Sequence, residues 1–198
     1  MADYQSVAPT TLAVTLNDAK RHLNVSSTND DALITEQIKS AATMLENRTQ
    51  RCFVTQTRVL KMDDFCDKRY VHNRRIYPPR SPLKSVSSVV YLDSNGVSTT
   101  MPSSDYVVST GDQPGFIAEA YNATWPSVYP QANSVTITYV AGHSTVSSGV
   151  PSNCKQAVRM LTGHWYRNRE AVITGVMSKE IELSVDALLE GESVPSYG

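Results

Sequence analysis

"GVPSNCKQAVRMLTGHWYRNRE", residues 149–170, decides how this chain is organised. Cys154, Ala157, Val158, Leu161 and Trp165 recur at helical spacing and mark one apolar face. Pro151 or Ser152 opens the helix, where a missing amide hydrogen costs nothing because first-turn amides have no intrahelical partner. Before it lies a long stretch of strand texture, and before that two more helical patterns. A helix that resumes after the strands makes the strands an insertion, because the separated helices need one another to cover their apolar faces.

The first of those helices reads from "VTLNDAKRHLNV", residues 14–25. Thr15 and Asp18 have capping-box spacing, Val14 is placed to staple against Ala19, and Leu16, Ala19 and Leu23 share a face. The second reads from "TNDDALITEQIKSAATMLENRT", residues 28–49. Thr28 and Asp31 repeat the capping pattern, and Asp30-Asp31 suits the positive end of the helix dipole. Leu33, Ile34, Ile38, Ala41, Ala42 and Leu45 form its apolar stripe, while Arg48 and Arg51 fall near its negative end.

After Cys52 the texture changes. "FVTQTRVLKMDDF", "DYVVST", "GFIAEA" and "SVTITYVAG" each read as a strand, and Asn95-Gly96 marks a turn between two strand-like runs. At the other end of the chain, Ile181, Leu183 and Val185 alternate with Glu182 and Ser184, a period that predicts an extended segment before a helical turn at "DALLE". The expected class is α+β: a small helical bundle of two N-terminal helices and one C-terminal helix, an inserted, mostly antiparallel β domain, and an extended C-terminal tail. The expected divisions are 1–54 for the N-terminal helical part, 55–149 for the β domain, 150–172 for the closing helix and 173–198 for the tail.

The chain has 198 residues, 40% of them hydrophobic and 19% charged, enough to bury a core without disulfides or metals. A formal charge of -1 gives no global attraction to nucleic acid or membrane, so any electrostatic role is local. The three cysteines are too far apart in sequence for the close pairs of a zinc site and read as reduced thiols. The start "MADYQSVAPTTLAV" does not read as a signal peptide, no stretch is long and apolar enough to span a bilayer, and the protein is expected to be made in a cytoplasm.

Two clusters invite a functional reading. In the first, His164 as a general base oriented by Glu170 fails on geometry, since six helical positions do not bring those side chains together. Trp165 suits the core, the arginines suit the helix end, and Trp, Tyr and Arg are also the residue types that dominate protein interfaces. The second, "DKRYVHNRRIYPPRSPLK" (67–84), sets Lys68, Arg69, Arg74, Arg75, Arg80 and Lys84 among Tyr70, His72 and Tyr77. Cations interleaved with aromatics suit a phosphate backbone and stacked bases, so a non-specific nucleic-acid-binding module is the alternative reading. The same composition suits a solvated loop or an inter-subunit contact. His22, His72, His143 and His164 lack ligand spacing, and no metal site or cofactor is expected.

Taken in order, "VTLNDAKRHLNV", "DDALITEQIKSAATMLENRTQR", "PRSPLKSVSSVVYLDSNG", "DYVV", "VTITYVAG", "VPSNCKQAVRMLTGHWYRNREAV" and "DALLEG" resemble the head–tail connector, or adaptor, proteins of long-tailed bacteriophages and gene-transfer particles. The likeness spans nearly the whole chain and lies in order and spacing, with "HWYRNRE" and "PRSPL" the most telling pieces. It implies a structural virion protein of the neck, assembled in the host cytoplasm as a dodecameric ring below the portal. Such a ring extends the DNA channel and gives stopper or tail-completion proteins their docking surface. It also implies no catalytic site and no membrane partner. The implied partners are the portal protein, neighbouring adaptor subunits, the next neck protein and packaged DNA that passes without sequence-specific binding. On this resemblance the portal contact falls to Tyr166, Arg169, Glu170, Ile181, Leu183, Val185, Leu188 and Leu189. Lys68, Arg69, Arg74, Arg75, Arg80 and Lys84 become candidates for the DNA channel or for contacts between subunits.

Overall fold

A computed structural model describes residues 3–168 and 179–192, the side chains of 179–181 excepted. The chain divides into two units. Of the described residues, the helical unit holds 10–54, 143–168 and 179–192, and the β unit holds the N-terminal strand and residues 55–142. The class is the α+β arrangement expected, with the strands inserted between helices.

In the helical unit, α1 (Leu16–Leu23), α2 (Asp31–Thr49), α3 (Ser152–Arg167) and α4 (Lys179–Leu189) share one core. The Thr15 hydroxyl accepts the Asp18 amide at 3.1 Å, the cap its spacing predicts, and Val14 and Ala19 are both buried. At the other end of α1, Asn24 takes the left-handed conformation (φ 57°), so that its amide and that of Val25 reach back to the carbonyls of Arg21 and Lys20. Ile34, Ile38, Ala41 and Leu45 of α2 face Cys154, Ala157, Val158 and Leu161 of α3, all buried.

Two expectations about α2 need correction. Thr28 and Asp31 make no capping box; the helix starts behind Asp30, which gives it no side-chain cap. Those acids have other partners: Asp30 accepts the Tyr166 hydroxyl at 2.6 Å, and Asp31 accepts Lys20 Nζ at 2.6 Å. Leu33 falls off the buried stripe and is 38% exposed.

The larger correction concerns residues 179–189, which are helical rather than extended. Val185 and Leu189 are both buried, with Leu188 packed beside them, and spacings of three and four residues put them on one helical face. The alternation of Ile181, Leu183 and Val185 covers only five residues, too short to outweigh that face. Arg48 of α2 binds Asp186 at 2.5 Å, and Arg51 binds Glu192 at 3.4 Å. Both arginines thus hold α4 and the turn after it, a second use beside the dipole of their own helix.

The β unit contains two antiparallel sheets. One has the order β1 (Asp3–Val7), β2 (Gln56–Met62), β9 (Val135–Ala141), β5 (Leu83–Leu92), β6 (Ser98–Thr100). The other runs β3 (Val71–His72), β4 (Arg75–Ile76), β8 (Phe116–Glu119), β7 (Tyr106–Ser109). In β9, Val135, Ile137, Tyr139 and Ala141 are buried and alternate with partly exposed residues, the period of a half-covered strand. The turn at Asn95-Gly96 forms as its sequence predicts, with Gly96 at φ 78° and the Asp93 carboxylate accepting the amides of Asn95 and Val97.

The N-terminal strand was not foreseen. It pairs with β2 from Asp3 opposite Leu60 to Val7 opposite Thr57, so residues 3–7 belong to the β unit and not to the helical part expected over 1–54. Residues 143–149 move the other way. Ser144 bridges Val54, and the Thr145 carbonyl accepts the Thr11 hydroxyl at 2.8 Å, tying this stretch to the helical unit. The β unit therefore ends at Gly142 rather than at 149.

Candidate functional site

The basic run 67–84 is folded back on its own acids and rings. Arg69 binds Asp67 at 2.6 Å and Asp63 at 3.2 Å, and its hydrogen bonds hold the Asp67 carboxyl below the usual carboxylate range. Asn73 and Arg74 form the two-residue turn between β3 and β4, both at positive φ (51° and 63°), the backbone that such a turn requires. Arg74 is anchored there by Glu119 at 2.6 Å, and that hydrogen bond is the main reason the Glu119 pKa is lowered. The same carboxylate accepts the Trp125 amide at 2.8 Å.

The rings are engaged too. Arg75 lies 4.4 Å above Phe116, and Tyr77 packs on Phe116 at 5.8 Å. Lys68 and Lys84 are exposed and Arg80 is half-buried. A nucleic-acid groove needs cations and ring faces turned outward together. Here Arg69 and Arg74 are paired with carboxylates and Arg75 covers a ring.

At the C-terminal end of α3 the cluster that opened the sequence reading separates into parts. Trp165 and Tyr166 are half-buried against the helical core, and Tyr166 is fixed by its bond to Asp30. His164 Nδ1 lies 3.2 Å from Asn168 Nδ2, a local helix-end contact. Arg169 and Glu170 lie outside the described residues. Among the described residues no three His, Cys, Asp or Glu side chains are placed to hold a metal ion, and no helix is long and apolar enough to cross a membrane.

The structure does bring together residues the sequence reading kept apart. His22 at the end of α1 and Met160, Gly163, His164, Arg167 and Asn168 of α3 line a cleft of about 320 Å³. Burial first, then the nearby charges of Arg159 and Arg167, hold the His22 pKa below its ordinary value. Arg159, Gly163 and Arg167 are four residues apart on α3, so one face of that helix carries both cations. That spacing is present in the sequence, beside the stronger periodic signal of the apolar stripe on the same helix.

Of the other side chains expected to meet a portal, Val185 (0% exposed) and Leu189 (3%) lie inside the chain's own core and Leu188 packs against it. Ile181 has no described side chain. Leu183 is 60% exposed and turned outward from α4.

The thiols divide by burial. Cys52 and Cys154 are buried and Cys66 is exposed. Burial, with Glu192 adding to it, pushes the Cys154 pKa up to about 12. Alkylation of the native protein near pH 8 is expected to label Cys66 alone, with Cys52 and Cys154 reacting only under denaturant. Mass mapping of the labelled peptides checks this, and rapid native labelling of Cys154 would contradict its placement in the core.

The described residues thus form a four-helix unit interrupted in sequence by a two-sheet unit. Residues 13–107 match the family described as phage gp6-like head-tail connector proteins. That match confirms the resemblance read from the sequence, from the start of the first helix into β7. A search of the curated proteins found no match. Among solved structures, a chain from the neck of an empty gene transfer agent particle, computed with C6 symmetry, superposes with a TM-score of 0.79 at 22% identity, covering 98% of this chain and 96% of that one. A chain from the virion of the native gene transfer agent gives a TM-score of 0.77 at 22% identity over the same shares. One from the neck of the native particle, computed with C12 symmetry, gives 0.75 at 20% identity, again covering 98% and 96%. At these identities the likeness establishes a shared fold.

Proposed function

We propose that this chain is a structural connector of the neck of a tailed phage or gene-transfer particle, where it forms a ring below the portal and carries the next neck protein. The observation that supports this best is a fold shared with neck proteins over 98% of the chain, joined to the connector-family match at 13–107. The C12 symmetry of one matched neck supports a dodecamer. In this reading the ring extends the channel through which DNA passes, and the protein acts through surfaces rather than through a reaction.

The portal contact is assigned to the C-terminal region around Tyr166, Arg169, Glu170 and Ile181. Leu183 is the apolar side chain on α4 open to a partner. The Val185 and Leu189 side chains hold α4 on its own bundle and do not serve as docking groups while the helix is seated.

The test is genetic and structural. Particles made without this protein are expected to show DNA-filled heads that lose DNA and carry no tails in electron micrographs, with tails restored by the gene in trans. Normal tailed particles in its absence would end the connector reading.

A further inference from the structure

Two surfaces of the helical unit have opposite character. The cleft between the ends of α1 and α3 is lined by His22, His164 and Arg167 together with Met160 and Gly163, and among the described residues no carboxylate lines it. Among the described residues neither Arg159 nor Arg167 forms an ion pair, and their charges add to burial in lowering the His22 pKa.

The outer face of α4 is the reverse. Leu183 (60% exposed), Ala187 and Glu190 lie on one side at spacings of four and three residues. Glu182 and Asp186 share the single guanidinium of Arg48, Glu192 takes Arg51, and Glu190 stands exposed: four carboxylates against two arginines. With Val185 and Leu189 fixing α4 from beneath, Leu183, Ala187 and Glu190 point away from the core, and Glu182 and Asp186 flank them beside Arg48. Both α1 and α4 pack on α3, and among the described residues they form no comparable packing with each other.

We propose that the outer face of α4 of one copy docks into the α1–α3 cleft of the next copy, with Leu183 seated over Met160 and Gly163 and with Glu182 and Glu190 facing Arg159, Arg167 and His22. Unlike patches on one chain make a head-to-tail contact, which closes a ring when its rotation divides a full turn. Opposed charges fix the register and exclude the reversed arrangement, in which like charges meet. Each chain presents one copy of each surface, so a closed ring leaves neither unmatched. This contact deepens the connector reading by naming the surfaces that neighbours share.

The experiment is a charge-swap complementation on the full chain, followed by sedimentation velocity at high protein concentration and low salt. The wild type is expected to self-associate and to dissociate as salt screens the contact. Arg159→Glu with Arg167→Glu gives a cleft variant, and Glu182→Lys with Glu190→Lys gives a helix variant. Each alone is expected to lose association by tenfold or more. An equimolar mixture is expected to regain it with the two variants alternating, because each then meets an opposite charge on both sides. Leu183→Asp, at a side chain already in solvent, tests the same contact without touching the core.

Unchanged association of either variant or of Leu183→Asp overturns the contact, as does failure of the mixture while both variants keep wild-type thermal melts. A wild type with no salt-sensitive association also overturns it. So does a cleft variant that loses only duplex-DNA affinity, which would mark the cleft as a phosphate site. None of these results touches the tail-assembly test, so the connector reading stands or falls separately.

Discussion

Replacing Asp3 by alanine is expected to destabilise the β unit by about 3 kcal/mol, roughly 6–12 °C in melting temperature. The Asp3 carboxylate accepts Arg58 Nε at 2.9 Å, with Nη2 of the same guanidinium also bonded, and it accepts the Tyr139 hydroxyl at 2.7 Å. The side chains of Asp3 and Arg58 are each about 10% exposed, and Tyr139 is fully buried. Removing one partner of a buried pair leaves the other charge without its main compensation, which costs more than forming the pair gains. Asp3 lies on β1, Arg58 on β2 and Tyr139 on β9, so one carboxylate ties three neighbouring strands. Asp3→Asn keeps an acceptor for the phenol and is expected to lose about half as much, and Tyr139→Phe about 1 kcal/mol. Denaturant titration of the three variants checks the order. A neutral Asp3→Ala would mean that β1 is not seated on β2.

This strand also shows why part of the fold was illegible. "DYQSV" has one aspartate, two other polar residues and no run of β-branched side chains, and its exposure pattern shows no buried alternation. What makes it a strand is the open edge of β2 and a carboxylate aimed at Arg58, both of which exist only once the sheet has formed. Edge strands held by partners carry little signal of their own. The internal strands were legible because Val135, Ile137, Tyr139 and Ala141 must alternate to bury one face, and α3 was legible because its apolar residues keep helical spacing over about three turns.

The candidate surfaces were less legible than the core, for a related reason. A basic run in sequence says nothing about which acids fold against it, and Glu119, far from Arg74 in sequence, is what withdraws that cation. The cleft fails the opposite way. His22 and Arg167 look unrelated until the packing of α1 on α3 places them together. Local sequence reports periodicity and capping well; charge balance is a property of the assembled surface.

The segment misread most deeply, residues 179–189, yields the second large effect. Leu189→Ala is expected to cost about 3 kcal/mol, because a side chain 3% exposed leaves a cavity among α2, α3 and α4. Leu183→Ala, six residues earlier and 60% exposed, is expected to change stability by less than about 0.5 kcal/mol. An extended, free tail would make both substitutions silent in the isolated protein, so the difference between them separates a seated helix from such a tail. The pair also divides partner contacts. If assembly uses the outward face, Leu183→Asp abolishes it in a protein that melts like wild type. If assembly uses the inward face, α4 must first leave its core, and the partner has to offset the loss of the Val185 and Leu189 contacts together with the bond from Arg48 to Asp186. In that case Leu189→Ala eases the release while removing a docking group, and Leu183→Asp leaves assembly intact. Thermal melts and assembly measured on the same two variants decide which face of α4 meets the partner.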